Sequence, residues 1–126
     1  MAIAIKRVYE KAAAGDGYRV LIDRLWPRGL KKEDVPFDLW AKELAPSTEL
    51  RRWFGHDPQL WDGFRHRYAT ELDAVAEHWQ PLAERSSRHV VTLLYSAHDE
   101  AHNNAVALKA YMENWLHSHG PRARKV

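Results

Sequence analysis

Apolar residues along this chain follow two patterns. Short runs rich in Val, Ile and Leu between turn residues predict strands, and longer stretches with an apolar residue every third or fourth position predict helices. Residues 2 to 9 form a first run, and the Ala-Ala-Ala-Gly-Asp-Gly stretch at 12 to 17 is suited to turning the chain. Residues 18 to 26 place Val20, Ile22 and Trp26 on one alternation and Leu21 and Leu25 on the other, as a central strand covered on both faces requires. Pro27, which lacks an amide donor, and Gly29, which accepts left-handed backbone angles, end that strand. Residues 30 to 46 mix charges with Phe37, Leu39, Trp40 and Leu44 and read as a strand or an irregular segment.

Helical signals begin at Ser47, a predicted N-cap for a short helix through Phe54, with Gly55 placed to stop it. Asp57-Pro58 repeats the start signal: the carboxylate accepts from free first-turn amides, and proline loses nothing at the first helical position. One long helix is expected from Pro58, with Leu60, Trp61, Phe64, Tyr68, Leu72, Val75, Trp79 and Leu82 as its core stripe. Residues 90 to 95 are a continuous apolar run of strand length. A polar loop at 96 to 100 then leads to a helix with Ala101, Ala105, Leu108, Met112 and Trp115 on its buried side. The expectation is a small single α/β domain over residues 1 to 119, a mostly parallel sheet flanked by helices, followed by a short basic tail at 120 to 126. No internal repeat competes with that organisation.

Composition narrows the function classes. Nineteen Lys and Arg stand against 17 Asp and Glu, and the signs are mixed along the body of the chain, so a basic nucleic-acid face is not expected. The absence of cysteine removes disulfides, thiolate metal ligands and cysteine nucleophiles. No apolar run reaches the about 18 residues of a membrane helix, and no signal peptide is recognisable, so a cytoplasmic setting is expected.

Ligands of open α/β sheets collect beyond the carboxyl ends of the strands, which points to two loops, 24 to 29 and 96 to 104. In the first, Arg24 and Arg28 flank a rigid Trp-Pro corner and are suited to direct two guanidinium forks at one phosphate or carboxylate, or equally to pair with a local acid such as Asp23. Trp26 is a stacking candidate or a core residue. In the second, His98, Asp99, His102, Asn103 and Asn104 form the densest polar cluster of the chain, with helix amides near 99 to 103 expected to be free for an anion. His56, His98 and His102 are the candidates for proton transfer, and Ser47 is a ligand candidate that first resembles a cap. The bland alternative has Asp99 capping, the two asparagines tying loop backbone and the histidines solvated.

His98 and His102 also show the four-residue spacing of helical zinc sites, but Asp99 stands where the metalloprotease pattern needs glutamate and no third ligand is evident. No metal site is assigned, His98 and His102 standing as the alternative ligands, and the cofactor is left open. No Walker loop or dinucleotide glycine pattern is present.

Four blocks, Asp-Arg-Leu-Trp-Pro-Arg-Gly at 23 to 29, Glu-Leu-Ala-Pro-Ser at 43 to 47, Arg-Trp-Phe-Gly-His-Asp-Pro at 52 to 58, and the segment from Thr92 to Ala105, resemble the YeaO-like family of uncharacterised proteins, domain of unknown function 488. The resemblance spans nearly the whole chain and implies a compact α/β fold, with no reaction to carry across. The preferred expectation is a protein that binds a small phosphate- or carboxylate-bearing ligand, with catalysis on it left open. A histidine-based metal or haem protein and a noncatalytic interaction module anchored by tryptophans are the alternatives.

Overall fold

The computed structural model describes residues 2–119; the basic tail expected at 120 to 126 lies outside the described residues. Four parallel strands, β1 (Ala2–Arg7), β2 (Tyr18–Leu21), β3 (Leu39–Trp40) and β4 (Val90–Tyr95), form one sheet in the order β1-β4-β2-β3. The helices are α1 (Thr48–Phe54), α2 (Trp61–Asp73), α3 (Ala76–Ser86) and α4 (Asn104–His119). The expected small α/β domain is therefore present, with β4 and β2 in the interior of the sheet. No helix among the described residues is long and apolar enough to cross a membrane.

Side chains alternate across a strand, so the interior strands β2 and β4 feed two separate cores. Ile3, Val20, Val91, Leu93 and Tyr95 pack with the helical residues Phe54, Phe64, Tyr68, Leu72, Trp79, Leu108 and Met112 in the main core. Leu21 and Leu94, neighbours in register, face the other way and meet Val8, Val35, Trp26, Phe37 and Trp40 in a second cluster that contains no residue of the four helices. All helices thus lie on one face of the sheet, and loops cover the other.

That loop-covered face also holds a buried ion cluster. Asp16 accepts from Lys6 Nζ at 2.8 Å, from the Ala13 amide at 3.0 Å and from Arg19, while Arg19 Nε donates to the Pro36 carbonyl at 2.6 Å. Burial alone would raise the Asp16 pKa, but hydrogen bonds from Lys6, Ala13 and Arg19 outweigh it and hold the carboxyl below its usual range. Next to the cluster, Gly17 at φ 62° runs so close to β4 that a Cβ would lie 2.3 Å from the Val90 carbonyl oxygen, which leaves room only for glycine.

Several boundaries differ from the expectation. The first strand ends at Arg7 rather than Tyr9, and β2 ends at Leu21 rather than Trp26, because the chain leaves the sheet at Asp23. Leu25, expected on a covered strand, is 70% exposed. The single long helix is two: α2 stops at Asp73, and Val75, with φ −126° and ψ 36°, breaks the backbone before α3. The last helix starts at Asn104, after a turn at 99 to 103, rather than near Ala101. The caps are as read: Ser47 Oγ accepts from the Leu50 amide at 3.0 Å, Gly55 is left-handed, and Asp57 accepts from the Gln59 amide at 2.9 Å ahead of a short 3-10 turn at Pro58–Leu60.

Candidate functional site

A cleft of about 680 Å3 opens at the carboxyl end of the sheet, between the loop after β2, the loop after β4 and the C-terminal end of α1. Asp23 joins the first two of these. Its Oδ2 accepts from the Ser96 amide at 2.9 Å and the Ser96 hydroxyl at 2.6 Å, and its Oδ1 accepts from Asn104 Nδ2 at 3.1 Å. Asp23 therefore pairs with neither Arg24 nor Arg28; it ties β2 to β4 and to the start of α4. From the end of β1, Arg7 adds a second tie by donating to the carbonyls of Ala97 at 3.0 Å and Ser96 at 3.3 Å. Tyr9 donates its hydroxyl to the Arg28 carbonyl at 2.9 Å and so anchors the arginine loop.

Three arginines line the cleft. Arg24 Nη1 donates to Thr48 Oγ1 at 2.8 Å, and Arg51 Nη2 donates to the same hydroxyl at 3.3 Å, which brings two guanidinium groups onto one neutral acceptor. Arg28 lies on the same cleft. All three side chains are exposed, and among the described residues none of them forms an ion pair. Like charges held together without a counter-charge create a positive potential that an anion relieves. The two carboxylates on the cleft, Asp23 and Asp99, are already engaged by donors of their own loops.

Asp99 organises the other side. Its Oδ1 accepts from the amides of Ala101 at 2.9 Å and His102 at 3.0 Å, and its Oδ2 meets His102 Nδ1 at 2.9 Å. The Ala101 amide and the His102 contact hold the Asp99 carboxyl below its usual range, so it is ionised. The His102 ring also stands edge-on to Trp61, with centroids 5.3 Å apart. Asn103 Oδ1 caps α4 by accepting from the Val106 amide at 3.0 Å, and Asn103 Nδ2 donates to the Asp99 carbonyl at 2.9 Å. Asn104 Nδ2 also reaches the Ile22 carbonyl at 3.3 Å. Of the amides near 99 to 103 expected to be free for an anion, those of Ala101 and His102 are taken by Asp99, and the Val106 amide further on is taken by Asn103.

His56 lines the same cleft from the end of α1, with a left-handed φ of 57°, the one non-glycine residue in that region among those described. His98 is exposed on the cleft. The structure therefore gathers Arg24, Arg28, His56, His98, Asp99, His102, Asn103 and Asn104 around one opening. Ser47 stays apart: its amide and hydroxyl donate to Glu71 at 2.8 and 2.6 Å while it caps α1. Trp26 borders the cleft, but its ring packs against Phe37 and Trp40 in the second cluster and its indole donates to the Leu30 carbonyl at 2.6 Å. Among the described residues, no group of three or more His, Asp or Glu is placed to hold a metal. All six tryptophans are buried or half-buried.

Asp23, Tyr9 and Arg51 are the site residues that sequence reasoning passed over. Arg51 sits four positions after Ser47 on a predicted helix, where one charge among several reads as solvated surface. Asp23 stood in the motif only as a possible arginine partner.

Comparison with known proteins places the chain among uncharacterised relatives. It is similar to the uncharacterised protein YeaO of Escherichia coli K12, at 44% identity over 94% of this chain and 99% of that protein. It is also similar to the uncharacterised proteins Mb3100c of Mycobacterium bovis and Rv3073c of Mycobacterium tuberculosis, each at 40% identity over 84% of this chain and 89% of the relative. No solved structure matches. A family model described as the inactive DUF488-N3 subclade matches residues 2–125, and with relatives this similar over nearly full length the chain belongs to that family.

Proposed function

We propose that this protein binds a small phosphate- or carboxylate-bearing molecule in the cleft at the carboxyl end of its sheet. The observation that carries the reading is the placement of Arg24 and Arg51 on the single hydroxyl of Thr48, with Arg28 on the same cleft and no ion pair to any of the three among the described residues. Guanidinium groups present forked donors that match the oxygens of phosphate and carboxylate, and charge-assisted contacts of this kind are about twice as strong as neutral ones. The description of the family as an inactive subclade favours binding over turnover. The metal alternative lacks a third ligand beside His98 and His102, and the module alternative lacks an exposed tryptophan anchor, among the described residues.

A thermal-shift titration tests the reading. Sodium phosphate and citrate are expected to raise the melting temperature more than sodium chloride of equal ionic strength, since ligand that binds only the native state stabilises it. The excess is expected to vanish when Arg24 and Arg51 are both replaced by alanine. Equal curves for all three salts in the wild-type protein would overturn it.

A further inference from the structure

Three large hydrophobic side chains are exposed among the described residues: Tyr9 at 42%, Leu25 at 70% and Leu39 at 37%. Leu39 lies on the short edge strand β3, but the other two line the arginine cleft. Leu25 directly follows Arg24, so the most exposed of these apolar side chains lines the same cleft as the three arginines. Buried apolar residues also line the cleft. Its lining includes buried Pro27 and Pro46 and the aromatic pair Phe54 and Phe64, whose ring centroids are 4.5 Å apart. A volume of about 680 Å3 falls within the roughly 300–1,000 Å3 of small-molecule sites, and a bare phosphate would leave most of it empty.

We infer that the anion taken by this cleft carries an apolar ring, the charged group meeting Arg24 and Arg51 while the ring rests against Leu25 and the proline and phenylalanine floor. This rests on the anion-binding reading and adds the chemical class of the ligand: an aryl phosphate or aryl carboxylate rather than a small hydrophilic ion. Removing apolar surface from water is favourable, and one amphipathic ligand covers the apolar surface while meeting the charge. The aromatic pair of the floor favours a ring, because ring edges and faces pack on one another with preferred geometry.

Isothermal titration of the full-length protein with methyl phosphate, phenyl phosphate, acetate and benzoate tests the inference, alongside the Leu25→Ser variant. Leu25 makes no core contact, so that variant should melt with the wild type. The expected result is that the preferred aryl anion binds at least about tenfold more tightly than its methyl counterpart, with a negative heat-capacity change from apolar burial. In Leu25→Ser the gap should narrow to about threefold or less, as a partly lost apolar contact predicts. Phenyl and methyl anions of equal affinity would overturn the inference and leave the anion reading standing. A gap unchanged in Leu25→Ser would overturn the assignment of the ring to this wall. Failure of all four anions to bind would remove the anion reading, and this inference with it.

Discussion

Asp23 and Ser96 lock the ends of the two interior strands together: one carboxylate oxygen takes both the Ser96 amide, at 2.9 Å, and the Ser96 hydroxyl, at 2.6 Å. Its other oxygen takes Asn104, so one side chain sets the relative position of both cleft loops and the start of α4. Asp23→Asn replaces one acceptor oxygen with a donor that faces other donors. Unsatisfied groups cost about 1–3 kcal/mol each where water is restricted, and here they are only half-buried. A loss of about 1–2 kcal/mol in urea unfolding is expected; a loss under about 0.5 kcal/mol, the range of ordinary surface changes, would show that Asp23 does not set this junction.

Arg24 and Arg51 are expected to behave in the opposite way. Each is exposed and shares a hydroxyl with a like charge, so alanine at either position should change stability by no more than about 0.5 kcal/mol. Affinity for phosphate should fall roughly tenfold in each single variant, as expected for one lost hydrogen bond to a charged group. Comparing denaturation midpoints with titration data separates the two effects. Destabilisation well above 1 kcal/mol with unchanged affinity would make these arginines structural.

His56 holds a left-handed conformation that a side chain adopts at a cost of roughly 1–2 kcal/mol, partly offset in any glycine variant by the greater freedom of glycine in the unfolded chain. His56→Gly is therefore expected to raise stability by about 0.5–1 kcal/mol. If it does so while weakening ligand binding, the strain serves to present the imidazole to the cleft. A destabilised variant would mean that contacts of the ring, such as that with Phe54 at 6.3 Å, outweigh the strain.

Acid should act through Asp16. Its folded pKa lies below the ordinary value of 3.8, so the unfolded chain takes up the proton more readily. The stabilisation is present above the ordinary value and is lost as pH falls through the lowered one. Asp99 shifts in the same direction and adds to the same acid limb. Asp16→Asn should flatten that limb and cost about 3–5 kcal/mol at neutral pH, because Lys6 and Arg19 are left facing each other without their counter-charge. Denaturant melts from pH 2 to pH 7 on both proteins check this, and an equally steep acid limb in the variant would assign it to other groups.

Much of the scaffold could be read from local chemistry. The apolar run of β4, the serine and aspartate caps and the left-handed Gly55 are set by residues within a few positions of one another, and all stand where their side chains dictate. The break between α2 and α3 was illegible because Leu72, Val75 and Trp79 keep helical spacing across it, although the backbone ladder fails at Val75. Strand β3 is only two residues long, too short for a periodic signal. β2 stops early because Asp23 turns to Ser96, 73 positions away, a partner no local pattern reveals. The loops after β2 and β4, singled out because they lie beyond strand ends, do border one cleft, while the capping by Asp99 of the Ala101 and His102 amides depends on a loop geometry that spacing alone does not give.

The order β1-β4-β2-β3 has a consequence for how the protein assembles. β1 hydrogen-bonds only to β4 within the sheet, and the tie from Arg7 to the Ala97 carbonyl joins residues 90 positions apart. Such a pairing must meet the entropy of closing a long loop before it gains any contact, which makes parallel sheets of this kind slow to form. During synthesis β1 waits without its partner until α1, α2 and α3 have all been made. The arginine cleft, framed by loops on both sides of β4, is therefore among the last parts of the domain to come into being.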